Sequence, residues 1–345
     1  MGRKDINWIN AVKAICIILV FLRHCENYYG AHLGWLDPLY LTIYVNAFFF
    51  VSGYLLFWKQ LSEPKILEDR KLYKSTGGGK ILLLNVLYRI IIPTVLFSII
   101  EFVPSCLIQG REITVGYALQ KTIGGGTYWF TSALAVAELV LLTLFCTRKR
   151  NIWFYTAVCL ALGAAGYVSA RYNFPGDGIW AWRQGLLALV FLALGGVYKF
   201  SIEDLDVKVG GRWKRGWRMA AVVLIVAVYV AMVLGLKGHN NPLISTLGIQ
   251  PLGFVTSAIG CLLLVWLCKR LPEWKPLTFI GQNSLGFYFL SGALPITLSK
   301  VAHLALPGTH GWLLPILWLA CLALAYVAVL VINRWLPWVW DLRRK

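Results

Sequence analysis

The sequence predicts an all-α fold, a polytopic membrane bundle of about ten transmembrane helices. Of the 345 residues, 59% are hydrophobic and only 14% are charged, whereas soluble domains carry about 25% charged residues. Apolar runs of about 20 residues, long enough to cross a bilayer as a helix, recur along the whole chain. The alternating apolar pattern of membrane β-strands does not recur in it. Helical spans are therefore expected throughout.

The ten expected spans follow one another with short connections. Their predicted limits are 10–29, 39–58, 81–108, 127–146, 152–170, 183–200, 219–236, 249–268, 277–303 and 312–333. No connection is long enough to hold a separate soluble domain, so residues 1–345 are expected to form a single integral-membrane domain. The first apolar run is long, leads into further spans and lacks a small-residue cleavage site, which argues against a cleavable signal peptide.

The net charge of +18 would suggest a nucleic-acid partner in a soluble protein. Here 24 of the 33 Lys and Arg fall in alternate loops and the two terminal segments, and five fall on the other side of the membrane: Arg111, Lys121, Arg171, Arg183 and Lys237. Because cytoplasmic loops carry the excess of Lys and Arg, both termini are expected in the cytoplasm, with no nucleic-acid partner. A basic cytoplasmic face also attracts anionic cofactors and anionic lipids.

The eight cysteines show no spacing typical of a metal site. Most lie inside apolar runs, where a free Cys behaves as a small hydrophobic residue. They are expected to be buried, and no metal is expected.

The first predicted span carries cations where a lipid-facing helix should carry none. Lys13 and His24 are 11 positions apart, which at about 100° and 1.5 Å per residue puts them on one face, roughly 16 Å apart along the axis. Because charge at bilayer depth is costly, we expect this face to be the wall of a reaction chamber. His24 can take a proton from a hydroxyl near neutral pH. The alternatives are a structural, hydrogen-bonded His24 and a Lys13 that reaches back to the inner interface.

Further ionisable groups lie inside the third and fourth spans. Arg89 is about two turns into the third span, next to Tyr88 and shortly before Pro93, which is expected to kink the helix. The guanidinium suits a phosphate group. The alternative is an ion pair with Glu101 or Glu138, two intramembrane acids that need partners.

Small polar and aromatic side chains mark three other places. Ser52, followed by Gly, permits close helix contact in the second span. Tyr128 and Trp129 open the fourth span, where an aromatic belt at the outer interface would account for them. The polar run 282–284 (Gln-Asn-Ser) in the ninth span is costly in lipid, so it should face the bundle interior or begin a broken helix.

Together these residues resemble the acyltransferase 3 family of membrane acyltransferases. The family motif on the first span is Arg, ten residues and His, and here it reads Lys13, ten residues and His24. Similar blocks follow in the right order at 48–55 (FFFVSGYL), 89–93 (RIIIP), 129–134 (WFTSAL), 191–198 (FLALGGVY) and 280–290 (IGQNSLGFYFL). Each block alone is weak evidence, but the blocks occur in the family's order within ten spans. The resemblance covers nearly the whole chain.

The resemblance implies transfer of an acyl group, most simply acetyl, from cytoplasmic acyl-CoA to a hydroxyl of a sugar or cell-surface glycan or glycolipid at the bacterial inner membrane. Acetyl-CoA would be a co-substrate, with no permanently bound cofactor. Carried over by motif, His24 and Lys13 are the catalytic residues. The residues assigned to acyl-CoA are Lys13, Arg89, Tyr88 and Ser52. Those assigned to the acceptor or to structural support are Glu26, Trp129, Glu138, Asn283, Ser284 and Tyr288.

The sequence departs from the family pattern in two places. Lys13 keeps the charge of the family Arg but loses its bidentate contact with phosphate. Ser291 stands where many members carry a His, so no second His role is carried over. We also expect no appended esterase domain of the SGNH type.

Several alternatives stay open at this point. A transporter or flippase would use Arg89, Glu101, Glu138 and Lys300 as an ion or substrate path, although no pair of inverted repeats is visible. Direct transfer and an acyl-His24 intermediate both fit the residues. The partners expected besides acyl-CoA and acceptor are membrane lipids, and a homo-oligomer is left open.

Overall fold

Helices occupy all ten predicted positions in the computed structural model, which describes residues 3–61, 83–147, 151–172, 179–203, 215–235, 243 and 251–340. Eight of the described helical segments have at least 18 residues and are apolar enough to cross a membrane. Two shorter apolar helices, Trp129–Phe145 and Ala220–Gly235, complete the predicted set. No strand occurs within the described ranges. The predicted all-α, polytopic membrane bundle is confirmed.

The helices are numbered here in chain order. The first six are α1 (Arg3–Tyr29), α2 (Asp37–Leu41), α3 (Asn46–Leu61), α4 (Leu83–Gln109), α5 (Val115–Lys121) and α6 (Trp129–Phe145). The next four are α7 (Ile152–Arg171), α8 (Trp182–Val197, continued by a π-helical turn at Tyr198–Ile202), α9 (Arg215–Gly235) and α10 (Pro251–Cys268). The last three are α11 (Lys275–Gln282), α12 (Ser284–Ala305) and α13 (Leu313–Trp335).

The first helix lies at the centre of the bundle, where it contacts α3, α10, α11, α12 and α13. Val12, Ile17 and Phe21 on it are completely buried. The indole Nε1 of Trp318 in α13 donates a hydrogen bond of 2.9 Å to the carbonyl oxygen of Ile18. We call the end of the bundle where α1 begins the near end, and the end where α1 terminates the far end.

Glycines let α3 and α8 approach each other closely. A Cβ on Gly195 would lie 2.6 Å from the backbone nitrogen of Tyr54, and closer still to a carbonyl oxygen of α3. Gly53 meets the backbone of Leu192 in the same way. Small residues at such a crossing are typical of membrane helices, and the close contact expected beside Ser52 is present.

A π-helical turn, Leu87–Ile91, interrupts α4 and carries Arg89. It ends just before Pro93, which has no amide proton to continue the α-helical pattern. The irregularity expected at Pro93 therefore takes the form of a wide turn, which changes the direction in which Arg89 leaves the helix.

The ninth predicted span consists of two helices, α11 and α12, which meet at Asn283. Asn283 Nδ2 donates a hydrogen bond of 2.8 Å to the carbonyl oxygen of Phe279, and its Oδ1 accepts one of 2.8 Å from Asn333. Gln282 is exposed, while Ser284 is partly buried at the start of α12. Of the two alternatives for this polar run, the broken helix is the right one.

Burial of the cysteines is confirmed for seven of the eight. Cys146 is the exception, because it follows the last residue of α6 and lies exposed where the helix ends.

The predicted inner side depends largely on cations that lie outside the described residues, in the segments 62–82, 148–150, 204–214 and 341–345. The orientation of the bundle in the membrane therefore stays a prediction.

Candidate active site

A cavity of about 220 Å³ lies at the far end of the bundle, between α1, the start of α3, α4, α6 and α12. His24 of α1, Glu101 of α4 and Trp129 of α6 contribute to its wall, and Tyr288 and Ser291 of α12 face them. Three residues predicted for the site, His24, Trp129 and Tyr288, are thus brought together. Ser291, the residue that replaces a family His, lies on the same wall.

His24 reaches the cavity from the last turns of the central helix. Its ring stacks on that of Tyr28, with centroids 5.9 Å apart and an interplanar angle of 17°. Within the described part of the chain, no group forms a hydrogen bond with the imidazole. Since a neutral imidazole has one acceptor nitrogen, His24 can accept a proton from a molecule in the cavity.

A carboxyl–phenol pair lies opposite His24. The hydroxyl of Tyr128 donates a hydrogen bond to the Glu101 carboxylate and lies 2.8 Å from the carbonyl oxygen of Phe289. The ring of Tyr128 also contacts Tyr288 at 5.7 Å and therefore links α6 to α12. An aromatic belt does not describe Tyr128, because this side chain is buried and bonded inside the bundle.

Lys13 lies on the same helix as His24 but nearer the near end. It is within electrostatic range of Arg89 on α4 and Glu138 on α6. Lys13 and His24 therefore face one side of α1, as their spacing predicts. Lys13 is not among the residues that line the far-end cavity, so the structure does not join both side chains in one chamber.

Of the two acids considered as partners of Arg89, Glu138 lies within electrostatic range of it, whereas Glu101 accepts a hydrogen bond from Tyr128 at the far end. Arg89 itself is largely exposed, and Tyr88 is partly buried beside it. Ser52 is also partly buried, on α3. None of these three candidate donor contacts lines the far-end cavity.

Glu26 has a structural position close to the site. It is completely buried and its carboxylate accepts a hydrogen bond from the hydroxyl of Tyr40. The backbone amide of Leu33 donates to its Oε1 at 3.3 Å, and Arg23 lies 3.4 Å from its Oε2. Glu26 therefore links the end of α1 to the following loop and to α2, and it does not line the cavity.

The described residues contain one group with the donors and spacing that a metal ion needs, namely Glu26, His32 and Asp37, whose ligand atoms lie within 4.8 Å of one another. The Glu26 carboxylate is already bonded to Tyr40 and Leu33 and balanced by Arg23. We therefore treat this group as structural.

Besides the charged group of Lys13, Arg89 and Glu138, a second charged cluster lies at the near end. The carboxylate of Glu203 accepts hydrogen bonds from Lys199 at 2.8 Å, from Lys269 at 2.9 Å and from the hydroxyl of Tyr54 at 2.8 Å. Burial alone would raise the pKa of Glu203, but these three hydrogen bonds outweigh it and hold the pKa below its ordinary value. Lys269 also lies 5.4 Å from the ring centre of Trp8 on α1. The cluster joins α1, α3, α8 and α10.

Burial has the opposite effect on the pKa of Lys269, the lysine that joins the cluster from the end of α10. It would lower the pKa of Lys269, but hydrogen bonds with Tyr198 and Glu203 raise that pKa above its ordinary value. The cluster is therefore charged across the neutral range.

Sequence reasoning did not assign Arg111, Lys121 and Tyr117 to the site, although all three line the cavity. They belong to the segment between α4 and α6, which contains α5. The sequence did place Arg111 and Lys121 among the few cations on the predicted outer side. Their position in a loop did not show that this loop lies over the cavity.

The profile of the acyltransferase 3 family, described as an acyltransferase domain, matches residues 6–335. The match includes every residue named above for the cavity and for both charged clusters. No curated protein and no solved structure is significantly similar to the chain.

Proposed function

The chain belongs to the acyltransferase 3 family, and on that premise we propose that it moves an acyl group, most simply acetyl, from acyl-CoA to a hydroxyl of a sugar or glycan acceptor. The observation that supports this most is the cavity at His24, where an imidazole with no protein hydrogen bond among the described residues faces Tyr288 and Glu101. The protein is then a membrane acyltransferase of the bacterial inner membrane, with acetyl-CoA as co-substrate.

In this mechanism the acceptor hydroxyl gives its proton to His24 while its oxygen attacks the thioester carbonyl. A tetrahedral intermediate forms and then collapses, breaking the C–S bond. The departing thiolate of CoA takes the proton back from His24. The alternative route, in which His24 first takes the acyl group itself and then passes it to the hydroxyl, uses the same residue.

The near end faces the cytoplasm in this proposal. The phosphates of acyl-CoA would be held there by Lys13 and Arg89, two cations that lie within electrostatic range of each other. The thioester would extend along one face of α1 towards His24, over roughly 16 Å. Donor and acceptor would then approach His24 from opposite ends of the bundle.

The first test removes the imidazole. His24→Ala should lower acetyl transfer about 10²- to 10⁴-fold, the usual contribution of general base catalysis, measured as release of CoA thiol with purified protein. His310→Gln is the matched control, since among the described residues the His310 imidazole forms no hydrogen bond, while its backbone amide and carbonyl are bonded to Tyr29 and Leu313. Unchanged transfer by His24→Ala would remove His24 from the mechanism. Transfer should also fall in acid, as His24 becomes protonated.

The second test concerns the donor. Lys13→Ala should raise the KM for acetyl-CoA about tenfold or more, because a charge-assisted hydrogen bond contributes roughly 1.5–3 kcal/mol. Lys13→Arg keeps the charge and should retain most of the affinity. If Lys13→Ala keeps full affinity for acetyl-CoA, the proposed phosphate contact is wrong.

A transporter or flippase is tested separately from the two variants. Thermal stabilisation of the purified protein by acetyl-CoA without sugar supports the enzyme. Stabilisation by sugar alone, with none by acetyl-CoA, would support a transporter. Mass spectrometry of envelope glycans with and without the gene would then identify the acceptor.

A further inference from the structure

Two cations line the far-end cavity, Arg111 in the loop after α4 and Lys121 at the end of α5. They lie on the side of the bundle that is predicted to carry few positive charges, and they are two of only five cations assigned to it from the sequence. Their presence at one cavity calls for an explanation beyond membrane orientation.

Tyr117 fixes the positions of both cations. The Nη1 of Arg111 donates a hydrogen bond of 2.8 Å to the hydroxyl of Tyr117, while Lys121 Nζ lies 5.8 Å from the centre of the same ring. The ring of Phe102 on α4 packs on Tyr117 at 5.8 Å. Tyr117 therefore connects both cations to α4, with Arg111 exposed and Lys121 partly buried.

The backbone beneath Lys121 is also fixed. The hydroxyl of Thr127 donates a hydrogen bond of 2.8 Å to the carbonyl oxygen of Lys121, and the amide of Tyr117 donates to the Thr114 hydroxyl at 3.3 Å. The amide of Trp180 donates to Gly124 at 2.7 Å, which joins the loop to the start of α8. A cavity wall of fixed geometry results.

Neither cation is neutralised by the protein. Among the described residues, no carboxylate forms an ion pair with Arg111 or Lys121. Glu101, the acid of this cavity, accepts its hydrogen bond from Tyr128 instead. Arg111 has five N–H donors and Lys121 three. One donor of Arg111 is used by Tyr117, and one of Lys121 by a hydrogen bond of 3.4 Å from its Nζ to the carbonyl oxygen of Gly126. Donors therefore remain for an anion inside the cavity.

We propose that this cavity binds an acidic acceptor, a sugar with a carboxylate or phosphate group held by Arg111 and Lys121 while its hydroxyl meets His24. This inference rests on the proposed function and adds the class of its acceptor. A guanidinium such as that of Arg111 suits a carboxylate or phosphate. Trp129 and Tyr288, which line the same cavity, provide aromatic rings for the apolar face of a sugar.

The test measures binding without turnover. Purified protein in phosphatidylcholine nanodiscs is melted with glucose, glucuronate or glucose 6-phosphate, at matched ionic strength and without acetyl-CoA. The two acidic sugars should stabilise the protein more than glucose does. In Arg111→Gln and Lys121→Gln, the concentration that gives half of this stabilisation should rise about 3- to 10-fold, as expected for a partly exposed charge contact.

Arg171→Gln is the matched control, because Arg171 is an exposed cation that ends α7 at the same end of the bundle but does not line the cavity. It should bind the acidic sugars as the parent protein does. The melting temperature of each variant without ligand shows whether it is folded. Equal stabilisation by glucose, or an equal loss in Arg171→Gln, would overturn the proposal.

Anionic lipid is the other source of the same chemistry, and a second set of nanodiscs distinguishes it. With phosphatidylglycerol added, the effect of the acidic sugars should persist. If phosphatidylglycerol abolishes it by occupying the cations, they bind lipid headgroups and the proposal is wrong. This binding test contains no acetyl-CoA, so its result does not depend on acyl transfer. In a separate transfer assay, failure to transfer an acyl group would contradict the proposed function only. Transfer without preference for acidic sugars would contradict this inference only.

Discussion

Replacing Glu203 with Gln removes an acid that Lys199 and Lys269 share at the near end. Hydrogen bonds to charged groups contribute about 1.5–3 kcal/mol when buried, and exposed ion pairs about 0.2–1 kcal/mol. Side-chain exposures of 17% for Glu203, 24% for Lys199 and 21% for Lys269 place the two pairs between these limits. Their joint loss should therefore lower the free energy of unfolding by about 2–4 kcal/mol, discounted for partial exposure.

In a chain of this length, about 2 °C of melting temperature corresponds to 1 kcal/mol, so Glu203→Gln should melt about 4–8 °C lower. Thermal unfolding in detergent, followed by tryptophan fluorescence, measures the change. Glu112→Gln is the control, since Glu112 is exposed on the loop after α4. A decrease no larger than that of Glu112→Gln would refute the reasoning that the cluster stabilises the near end.

The difference between parent and Glu203→Gln should also depend on pH in a defined way. The folded pKa of Glu203 is lowered, so its contribution is complete above the ordinary value of 4.5 and is lost as pH falls through the folded pKa. The pKa of Lys269 is raised, so its contribution is complete below 10.5 and is lost as pH rises through the folded pKa. The difference should be constant between these limits, and a change near pH 7 would contradict the assignment.

Two further predictions concern packing and buried polar groups. Gly195→Val should abolish folded protein after detergent extraction, since the valine side chain would overlap the backbone of α3. Gly116→Ala is the control and should behave as the parent, because a Cβ there meets no neighbouring atom within 4 Å. Normal yield of Gly195→Val would show that α3 and α8 can separate. Tyr40→Phe should lower the free energy of unfolding by about 1–3 kcal/mol, because the buried Glu26 carboxylate loses one of its hydrogen bonds and keeps only Leu33 and Arg23. Tyr172→Phe, on an exposed ring, should not lower it. Equal melting temperatures for these two variants would show that Glu26 does not depend on Tyr40.

The fold was predictable because membrane spans leave a strong signal in composition. A run of 20 apolar residues has few alternatives to a transmembrane helix, and helices are present at all ten predicted positions. The break at Asn283 was one of the two alternatives that three successive polar residues inside a span suggested. The form of the irregularity at Arg89 was not, since a π-helical turn depends on how the neighbouring helices fit around Pro93.

The site was predictable only along one helix. The 3.6-residue period places Lys13 and His24 on one face of α1, and in the structure both are near residues of α4 and α6. Which residues come from the other helices depends on how those helices pack, which the sequence alone does not specify. Glu101 illustrates the difference, because it was an acid in need of a partner and found it in Tyr128, 27 residues further along the chain.

The hydrogen bond from Trp318 to Ile18 joins residues 300 positions apart. During synthesis the N-terminal segment emerges first, yet α1 can complete its contacts only when the last hydrophobic segment has entered the bilayer. The helix that carries His24 is therefore synthesised early but completes its packing contacts late. A nascent chain that stops before α13 should lack this hydrogen bond and the other contacts of α13 with α1, however much of its length is already inserted.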